Sequence, residues 1–193
     1  MKVNLKKVVG GKKVLGGAVE GRRDLARLLE AVGGEPNAPE PLFVDYEGIE
    51  LATASYLRET IGALHALIRG RRSNHYLVIA NANTAVRDDL ELLARAGGMT
   101  LLICLLDAGG KVSKPGILGV LDPKAQATFD LVCERGETDA KELMEAKAGL
   151  EDVGHTAWNN RLAGLVQQGL IAEYMAGKAK RYRPVLKGKF HGH

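Results

Sequence analysis

The sequence predicts an α/β fold that gives way to a helical module near its carboxyl end, and three observations predict it. Up to residue 106, short apolar runs rich in strand formers alternate with stretches of helical apolar spacing, which favours a sheet joined by crossover helices. Beyond residue 123, three helical stretches follow one another without an intervening strand. Two strand patterns around a basic turn then complete the module.

The stretch 42–68 shows the strand-helix alternation best. Its first apolar run is closed by Gly48 and predicts a mostly buried strand. From Leu57 to Ile68, apolar residues recur at the i, i+4, i+7, i+11 spacing of an amphipathic helix. Thr53 or Ser55 is suited to cap that helix. The stretch therefore predicts the central half of a βα unit.

The other elements follow from the same patterns and from glycine and proline breaks. We predict strands over 2–9, 12–15, 76–80 and 99–106, and helices over 22–32 and from a Thr84 cap to Gly97. In the carboxyl-terminal module we predict helices over 124–134, 139–146 and 156–169, and strands over 170–175 and 181–185.

A change of composition separates two predicted domains. Residues 108–123 are rich in glycine and contain Pro115 and Pro123, which predicts a linker. The first domain is then 1–107 and the second is 124–193, including its basic tail. From Tyr174 to the end there are six Lys or Arg and no Asp or Glu. Such an end favours an anionic partner.

Composition indicates a cytoplasmic protein that does not associate with membranes. Of the 193 residues, 46% are hydrophobic, which is ordinary for a globular chain. No apolar run approaches the roughly 20 residues that span a bilayer, and the amino terminus lacks the apolar centre of a signal peptide. Cys104 and Cys133 both lie in apolar segments, so we expect buried free thiols in a reducing compartment.

The carboxyl-terminal module resembles a winged helix-turn-helix over 124–185. Its third helix ends in the Leu-x-x-Leu-x-x-x-Gly-Leu-Ile pattern that leads into the wing of such regulators. That pattern is filled by Leu162, Leu165, Gly169, Leu170 and Ile171. The resemblance implies binding to double-stranded DNA.

A helix that enters the major groove needs polar side chains near its amino end, and a wing needs cations for phosphate. The predicted DNA-binding residues are His155, Thr156, Asn159, Asn160, Lys178, Lys180 and Arg181. Asparagine is suited to a bidentate contact with adenine. A solvated helix face and an ordinary basic hairpin are the alternative interpretation.

The stretch 42–68 resembles the STAS family, the fold of bacterial anti-sigma-factor antagonists, and is closer to the STAS-like domains found beside helix-turn-helix modules. The resemblance covers about residues 3–106. The residues in register with its signature are Asp45, Tyr46, Gly48, Ile49, Ala52, Thr53, Ser55, Tyr56 and Glu59. It implies a mixed sheet with helices and a regulatory protein partner.

The resemblance leaves two roles open for the start of this helix. In the antagonists a serine there is phosphorylated, and that position falls on Ala54 in this sequence. Ser55 matches the following serine, and Tyr56 replaces a glycine. Thr53, Ser55 and Glu59 are therefore candidates for docking or phosphorylation, and helix capping is the alternative for the two hydroxyl residues.

No motif in the sequence calls for catalysis. The glycine pairs near Lys12 lack the Gly-x-x-x-x-Gly-Lys-[Ser/Thr] and Gly-x-Gly-x-x-Gly patterns of phosphate loops. The five histidines are scattered and the two cysteines are distant, which disfavours a structural zinc site. We therefore predict a non-enzymatic protein without a cofactor or metal.

The predicted function is a DNA-binding transcriptional regulator with a STAS-like sensing or docking domain. A protein-interaction adaptor without DNA binding is the alternative, and an enzyme whose site emerges only from the fold is a third. Because winged-helix regulators read two-fold DNA sites as pairs, we expect a homodimer.

Overall fold

The computed structural model describes residues 1–147, 154–188 and 190, which form a mixed α/β architecture. The strands are β1 (Lys2–Asn4), β2 (Val14–Leu15), β3 (Glu40–Asp45), β4 (Leu51–Ala52), β5 (His75–Ala80), β6 (Leu101–Leu106), β7 (Val112–Leu118), β8 (Ile171–Ala176) and β9 (Ala179–Pro184). The helices are α1 (Leu5–Val8), α2 (Ala18–Val32), α3 (Ala54–Leu57), α4 (Ala63–Gly70), α5 (Thr84–Gly97), α6 (Pro123–Arg135), α7 (Ala140–Ala146) and α8 (His155–Gln167). A π-helical turn, Arg58–Gly62, joins α3 to α4.

The main sheet has the strand order β1-β3-β5-β6-β7 within the described residues. The first four strands are parallel, and β7 pairs antiparallel with β6. A short parallel pair, β2 and β4, lies outside this sheet, and β8 and β9 form an antiparallel hairpin. The mixed α/β class is therefore confirmed.

The two faces of the sheet enter different hydrophobic cores. Along β5, Leu77 and Ile79 belong to a core shared with α2, α3, α4 and α5, which we call the helical core. Val78 and Ala80 belong to a second core, the junction core, shared with the carboxyl-terminal helices. This alternation follows from the two-residue period of a strand.

The carboxyl-terminal module, residues 123–190 as described, covers the second face of the sheet. Its contributions to the junction core include Phe129, Trp158, Leu162, Leu165 and Leu170, each at most 1% exposed. Leu102 and Cys104 of β6 meet them from the sheet. The module therefore packs directly on the amino-terminal module, residues 1–118.

The prediction of a linker over 108–123 is wrong for its central part, because β7 occupies it. Pro115 lies in this strand without disrupting the sheet, since β7 has a neighbour on one side only and proline is tolerated in edge strands. The register between β6 and β7 shifts between Ile103 and Leu105, which marks a β-bulge. The division into two folding domains stays a prediction.

The stretch 42–68 forms the predicted strand, turn and capped helix. The turn uses Gly48, whose φ of 77° suits glycine. Thr53 is the N-cap, and its Oγ1 accepts a hydrogen bond from the Tyr56 amide at 3.4 Å. None of the helices in the described segments combines the length and apolar character needed to cross a bilayer.

Two local predictions near side-chain caps are wrong. The predicted strand 2–9 stops at Asn4, because the Asn4 side chain accepts from the Lys7 amide at 2.9 Å and starts α1. Helix α5 is capped by Asn83 rather than Thr84, and Asn83 Oδ1 accepts from the Val86 amide at 2.9 Å. Asparagine and threonine are both good caps, so spacing alone does not choose between neighbours.

Packing across the junction core is testable with Leu102→Ala, because the chain has one tryptophan, Trp158, which reports on the other side of that core. We expect a loss of about 2–5 kcal/mol in the free energy of unfolding, from lost burial and the cavity left behind. The measurement is urea denaturation followed by Trp158 fluorescence. The control Leu92→Ala, at a side chain 62% exposed, should change stability by less than about 0.5 kcal/mol. A Trp158 transition unchanged in Leu102→Ala would contradict the shared core.

Candidate nucleic-acid interface

Helix α8 presents a polar face at its amino end. It begins at His155 after Gly154, and it buries Trp158, Leu162 and Leu165 against the junction core. Its opposite side is exposed, and it carries two of the predicted DNA-binding residues, Thr156 and Asn160. The fold therefore leaves this end of α8 open to a partner.

The other two predicted residues of this helix contact each other. The Nδ2 atom of Asn159 lies 3.1 Å from Nδ1 of His155. They sit one turn apart, so the hydrogen bond orients both side chains along the helix surface. Asn159 is half-buried and His155 is exposed. Both lie beside the exposed face of Thr156 and Asn160.

The β8–β9 hairpin has a basic tip. Ala176 pairs with Ala179, which leaves a two-residue loop of Gly177 and Lys178. Gly177 has a φ of 64°, the positive value that tight hairpin loops require. The predicted contact Lys178 is exposed at this tip. Lys180 follows on β9, and its Nζ lies 3.0 Å from Oε1 of Glu173 on the neighbouring strand.

Arg181 occupies a cluster of carboxylates instead of facing outward. Its guanidinium contacts Glu142 at 2.6 Å, Asp139 at 3.0 Å and Glu137 at 3.1 Å. Only 20% of its side chain is exposed. The hydrogen bond from Arg181 lowers the pKa of the Glu142 carboxyl. These contacts give Arg181 a structural role that the sequence prediction of a phosphate contact did not include.

A single bridge joins the hairpin to the turn between α6 and α7. Thr138 and Tyr182 exchange backbone hydrogen bonds of 2.9 Å in both directions. Together with the Arg181 cluster, this bridge fixes the hairpin against the start of α7. Asp139 caps α7, and its Oδ1 accepts from the Glu142 amide at 2.9 Å.

The candidate residues at the start of α3 are held by neighbouring elements. Thr53 Oγ1 accepts from the Gly17 amide at 3.2 Å and lies 3.3 Å from the Ser55 hydroxyl. Ser55 is half-buried. Glu59 forms ion pairs with Arg22 at 3.3 Å and Arg58 at 3.4 Å. Capping and surface ion pairing thus account for the contacts of Thr53 and Glu59.

Helix α2 packs tightly on this helix start through residues that sequence reasoning missed. A Cβ on Gly21 would lie 2.9 Å from both the Glu59 Cβ and the Tyr56 carbonyl oxygen. The Tyr56 hydroxyl donates to buried Asp24 at 3.3 Å, and Arg27 pairs with Asp24 at 3.0 Å. The sequence does contain a signal for this buried contact, because Asp24 lies four residues before Leu28, on the apolar face of α2.

Asp45, the first residue of the STAS-like signature, is fully buried at the end of β3. Its carboxylate contacts Lys2 Nζ at 2.9 Å, accepts from Asn81 Nδ2 at 2.9 Å and accepts from the Glu47 amide at 3.0 Å. Since these groups come from β1, the end of β5 and the following turn, Asp45 ties the strand ends together.

Arg69 joins the two modules, and sequence reasoning missed it. Its side chain comes from α4 and donates to the Val166 carbonyl near the end of α8 at 3.3 Å. It also donates to the carbonyls of Ser73 at 3.2 Å and His75, and it lies 4.4 Å from the Tyr76 ring centre. Only 6% of Arg69 is exposed. A cation is favourable at this end of α8 because the last carbonyls of a helix carry partial negative charge.

Further contacts surround the end of α8. Thr100 Oγ1 donates to the Gln168 carbonyl at 3.5 Å, and the Tyr76 hydroxyl accepts from the Glu173 amide at 3.4 Å. His65 on α4 is half-buried beside Gln168 and Arg69, and burial lowers its pKa. The end of α8 is therefore held by side chains of the amino-terminal module.

Both cysteines are free, as predicted. Cys104 is buried and Cys133 is half-buried, and burial raises the pKa of each thiol to about 12. Such thiols are weakly reactive at neutral pH. Within the segments the structure describes, no group of three or more His, Cys, Asp or Glu side chains is arranged to hold a metal ion.

No protein-family model matches the sequence, and no curated protein matches it.

Removal of the Arg181 side chain tests its structural role. The variant Arg181→Ala leaves Glu137, Asp139 and Glu142 facing one another without their cation. We expect its free energy of unfolding to be lower than that of wild type by about 1–2 kcal/mol at neutral pH. In the wild type the lowered pKa of Glu142 stabilises the fold above the carboxyl pKa of the unfolded chain. The penalty should therefore shrink as pH falls below about 4.5 and these groups protonate.

The measurement is urea denaturation at several pH values. The control is Lys141→Ala, which removes one charge from an exposed ion pair of the same helix, to Glu145 at 3.8 Å. It should cost no more than about 0.5 kcal/mol. A penalty for Arg181→Ala that matches this control would show that the cluster does not stabilise the hairpin.

His65 predicts a pH dependence of stability. Because burial lowers its pKa below the usual 6.5, the unfolded chain binds a proton at a higher pH than the folded chain. The contribution of neutral His65 to the free energy of unfolding is therefore fully present above about pH 6.5, and it is lost as pH falls toward the folded-state pKa. The measurement is thermal unfolding at pH 7.5 and at pH 5.5. The melting temperature of wild type should fall more between these two pH values than that of His65→Gln. Parallel losses in the two proteins would refute this role.

Proposed function

We propose that the protein is a DNA-binding transcriptional regulator in which α8 enters the major groove and the β8–β9 hairpin acts as a wing. The observation that carries the proposal is the order of elements: α6, a bridging strand residue Thr138, α7, α8, then the hairpin. This is the order of a winged helix-turn-helix. The exposed polar face at the amino end of α8 supports the same function.

The polar residues of α8 take the role of base contacts. Asn160 is exposed on the open face, and its amide can give a bidentate contact to adenine. Thr156 lies one turn earlier on the same face, with the Asn159–His155 pair beside it. Base contacts carry the specificity, while cations on the wing set register and affinity.

Lys178 is the wing residue best placed for phosphate. It is exposed at the hairpin tip, whereas Lys180 is paired with Glu173 and Arg181 with three carboxylates. The wing therefore offers fewer cations to DNA than its sequence suggests. A modest dependence on salt follows, because each phosphate neutralised contributes about one unit to the slope of log K against log salt.

The amino-terminal module takes the role of a STAS-like sensing or docking domain in this proposal. Its sheet and the carboxyl-terminal helices share the junction core, and Arg69 contacts the end of α8 directly. A partner or ligand that shifts α4 or β5 would thus act on the DNA-binding helix through packed side chains. Binding as a homodimer to a two-fold site belongs to the same proposal.

A protein-interaction adaptor without DNA binding is the second candidate, and the acidic surroundings of α7 favour it. Glu137, Asp139, Glu142 and Glu145 lie at or next to this helix. In a helix-turn-helix the helix before the recognition helix, which is α7 here, crosses near the DNA backbone, where carboxylates repel phosphate. Arg181 offsets part of that charge, and Lys141 pairs with Glu145.

The proposal is tested by measuring binding to a non-specific 30-base-pair duplex. Fluorescence anisotropy of the duplex reports the affinity at salt concentrations from low to moderate. Wild type should bind with an affinity that falls as salt rises, and Lys178→Ala should reduce the slope of log K by about one. Arg58→Ala removes an exposed charge from the helix layer on the opposite face and should leave the slope unchanged. Absence of binding by wild type at 50 mM salt would overturn DNA binding and favour the adaptor.

A further inference from the structure

A cavity of about 350 Å³ lies where the two modules meet. The amino-terminal module contributes the turn after α4, and the carboxyl-terminal module contributes the second half of α8 together with Glu173 and Lys180 of the hairpin. Its main lining side chains are Arg69, Arg72, Tyr76, Gln167, Glu173 and Lys180. Cations from both modules therefore face the same space.

Arg72 and Lys180 are exposed, while Arg69 is committed to carbonyl oxygens of both modules. Lys180 shares its charge with Glu173, so Arg72 is the main cation that this cavity offers to an anion. The acids near them are Glu173, which is 3.0 Å from Lys180, and Glu35, which binds Ser73 at 2.8 Å. The buried charge of Arg69 adds to the positive potential of the cavity.

Arg72 adopts an unusual backbone conformation for its residue type. Its φ is 52°, in the left-handed region that glycine and asparagine occupy at lower cost. The turn is fixed by hydrogen bonds from the Arg72 amide to the Arg69 carbonyl at 3.2 Å and from the Ser73 amide to the Ile68 carbonyl at 3.0 Å. Asparagine or glycine would suit this position better, so stability does not explain the arginine.

The open face of α8 leads into this cavity. Thr156, Asn160, Ala163 and Gln167 follow the i, i+4, i+7, i+11 spacing of one helix face, and all four are exposed. Ala163 and Gln167 line the cavity itself. A duplex that engages the amino end of α8 and follows this face would bring a backbone strand to Arg72 and Lys180.

We propose that Arg72 binds a backbone phosphate of the duplex that α8 engages, with the Glu173-paired Lys180 lining the same cavity, so that the STAS-like module itself contacts DNA. The inference rests on the proposed function and adds a contact from outside the winged helix. Arg69 is a positioning residue in this arrangement, because it holds the turn that carries Arg72 against the end of α8. Arg72 supplies a guanidinium, which suits phosphate geometry.

The variant Arg72→Asn tests the proposal, because asparagine accepts the left-handed backbone without the charge. The experiment measures anisotropy of the non-specific duplex against salt and the melting temperature of the full chain. Arg72→Asn should reduce the slope of log K by about one and weaken binding several-fold. Its melting temperature should equal or exceed that of wild type. The matched control Arg58→Asn should leave the slope unchanged.

The outcomes separate this inference from the proposed function. If wild type binds DNA and Arg72→Asn keeps the wild-type slope, the contact is overturned and the winged-helix function stands. If wild type does not bind DNA, both fail. A third outcome combines two results: inorganic phosphate raises the melting temperature of wild type but not of Arg72→Asn, and Arg72→Asn keeps the wild-type slope of log K against log salt for DNA. The cavity is then a small-anion site, and the DNA contact is again overturned.

Discussion

The structure depends on one constraint, which is that every crossover of the parallel sheet lies on the same face. The strands follow one another across the sheet as β1, β3, β5 and β6 without reversing direction. Because parallel crossovers are right-handed, such an order places all connecting helices on one side. The other side, with Val78, Ala80 and Leu102, remains apolar and needs cover. The carboxyl-terminal module supplies it.

The packing of the carboxyl-terminal module on the sheet is relevant to the proposed function. A winged helix attached by a free linker would sense the other module only through a tether, whereas here α8 lies against the sheet and ends at Arg69. Under the proposed function, a signal at α4 or β5 would reach α8 through these direct contacts, which would give the amino-terminal module a physical route to the proposed DNA-binding helix. The same junction places Arg72 in a cavity shared with α8, where the proposed phosphate contact would lie.

Periodicity in the sequence predicted much of the fold, and its failures have local causes. Leu57 to Ile68 and the Thr53 cap follow from spacing and cap chemistry, and both agree with the structure. Strand β7 was missed because its Gly and Pro residues are compatible with an edge strand as well as a linker. The site was harder to predict. Arg181 lies 39 to 44 residues from its carboxylates, and Arg69 lies 97 residues from Val166, so neither partner set is visible in the local sequence.

The central claim is that the sheet and the carboxyl-terminal module share one core, and native-state hydrogen exchange tests it most directly. Amides of β5 and β6 and those of α8 at Leu162 and Leu165 should open in one unit, with the same free energy and the same dependence on denaturant. The account predicts that these values coincide in the full chain. Opening of α8 at a much lower free energy, while β5 and β6 stay protected, would contradict it.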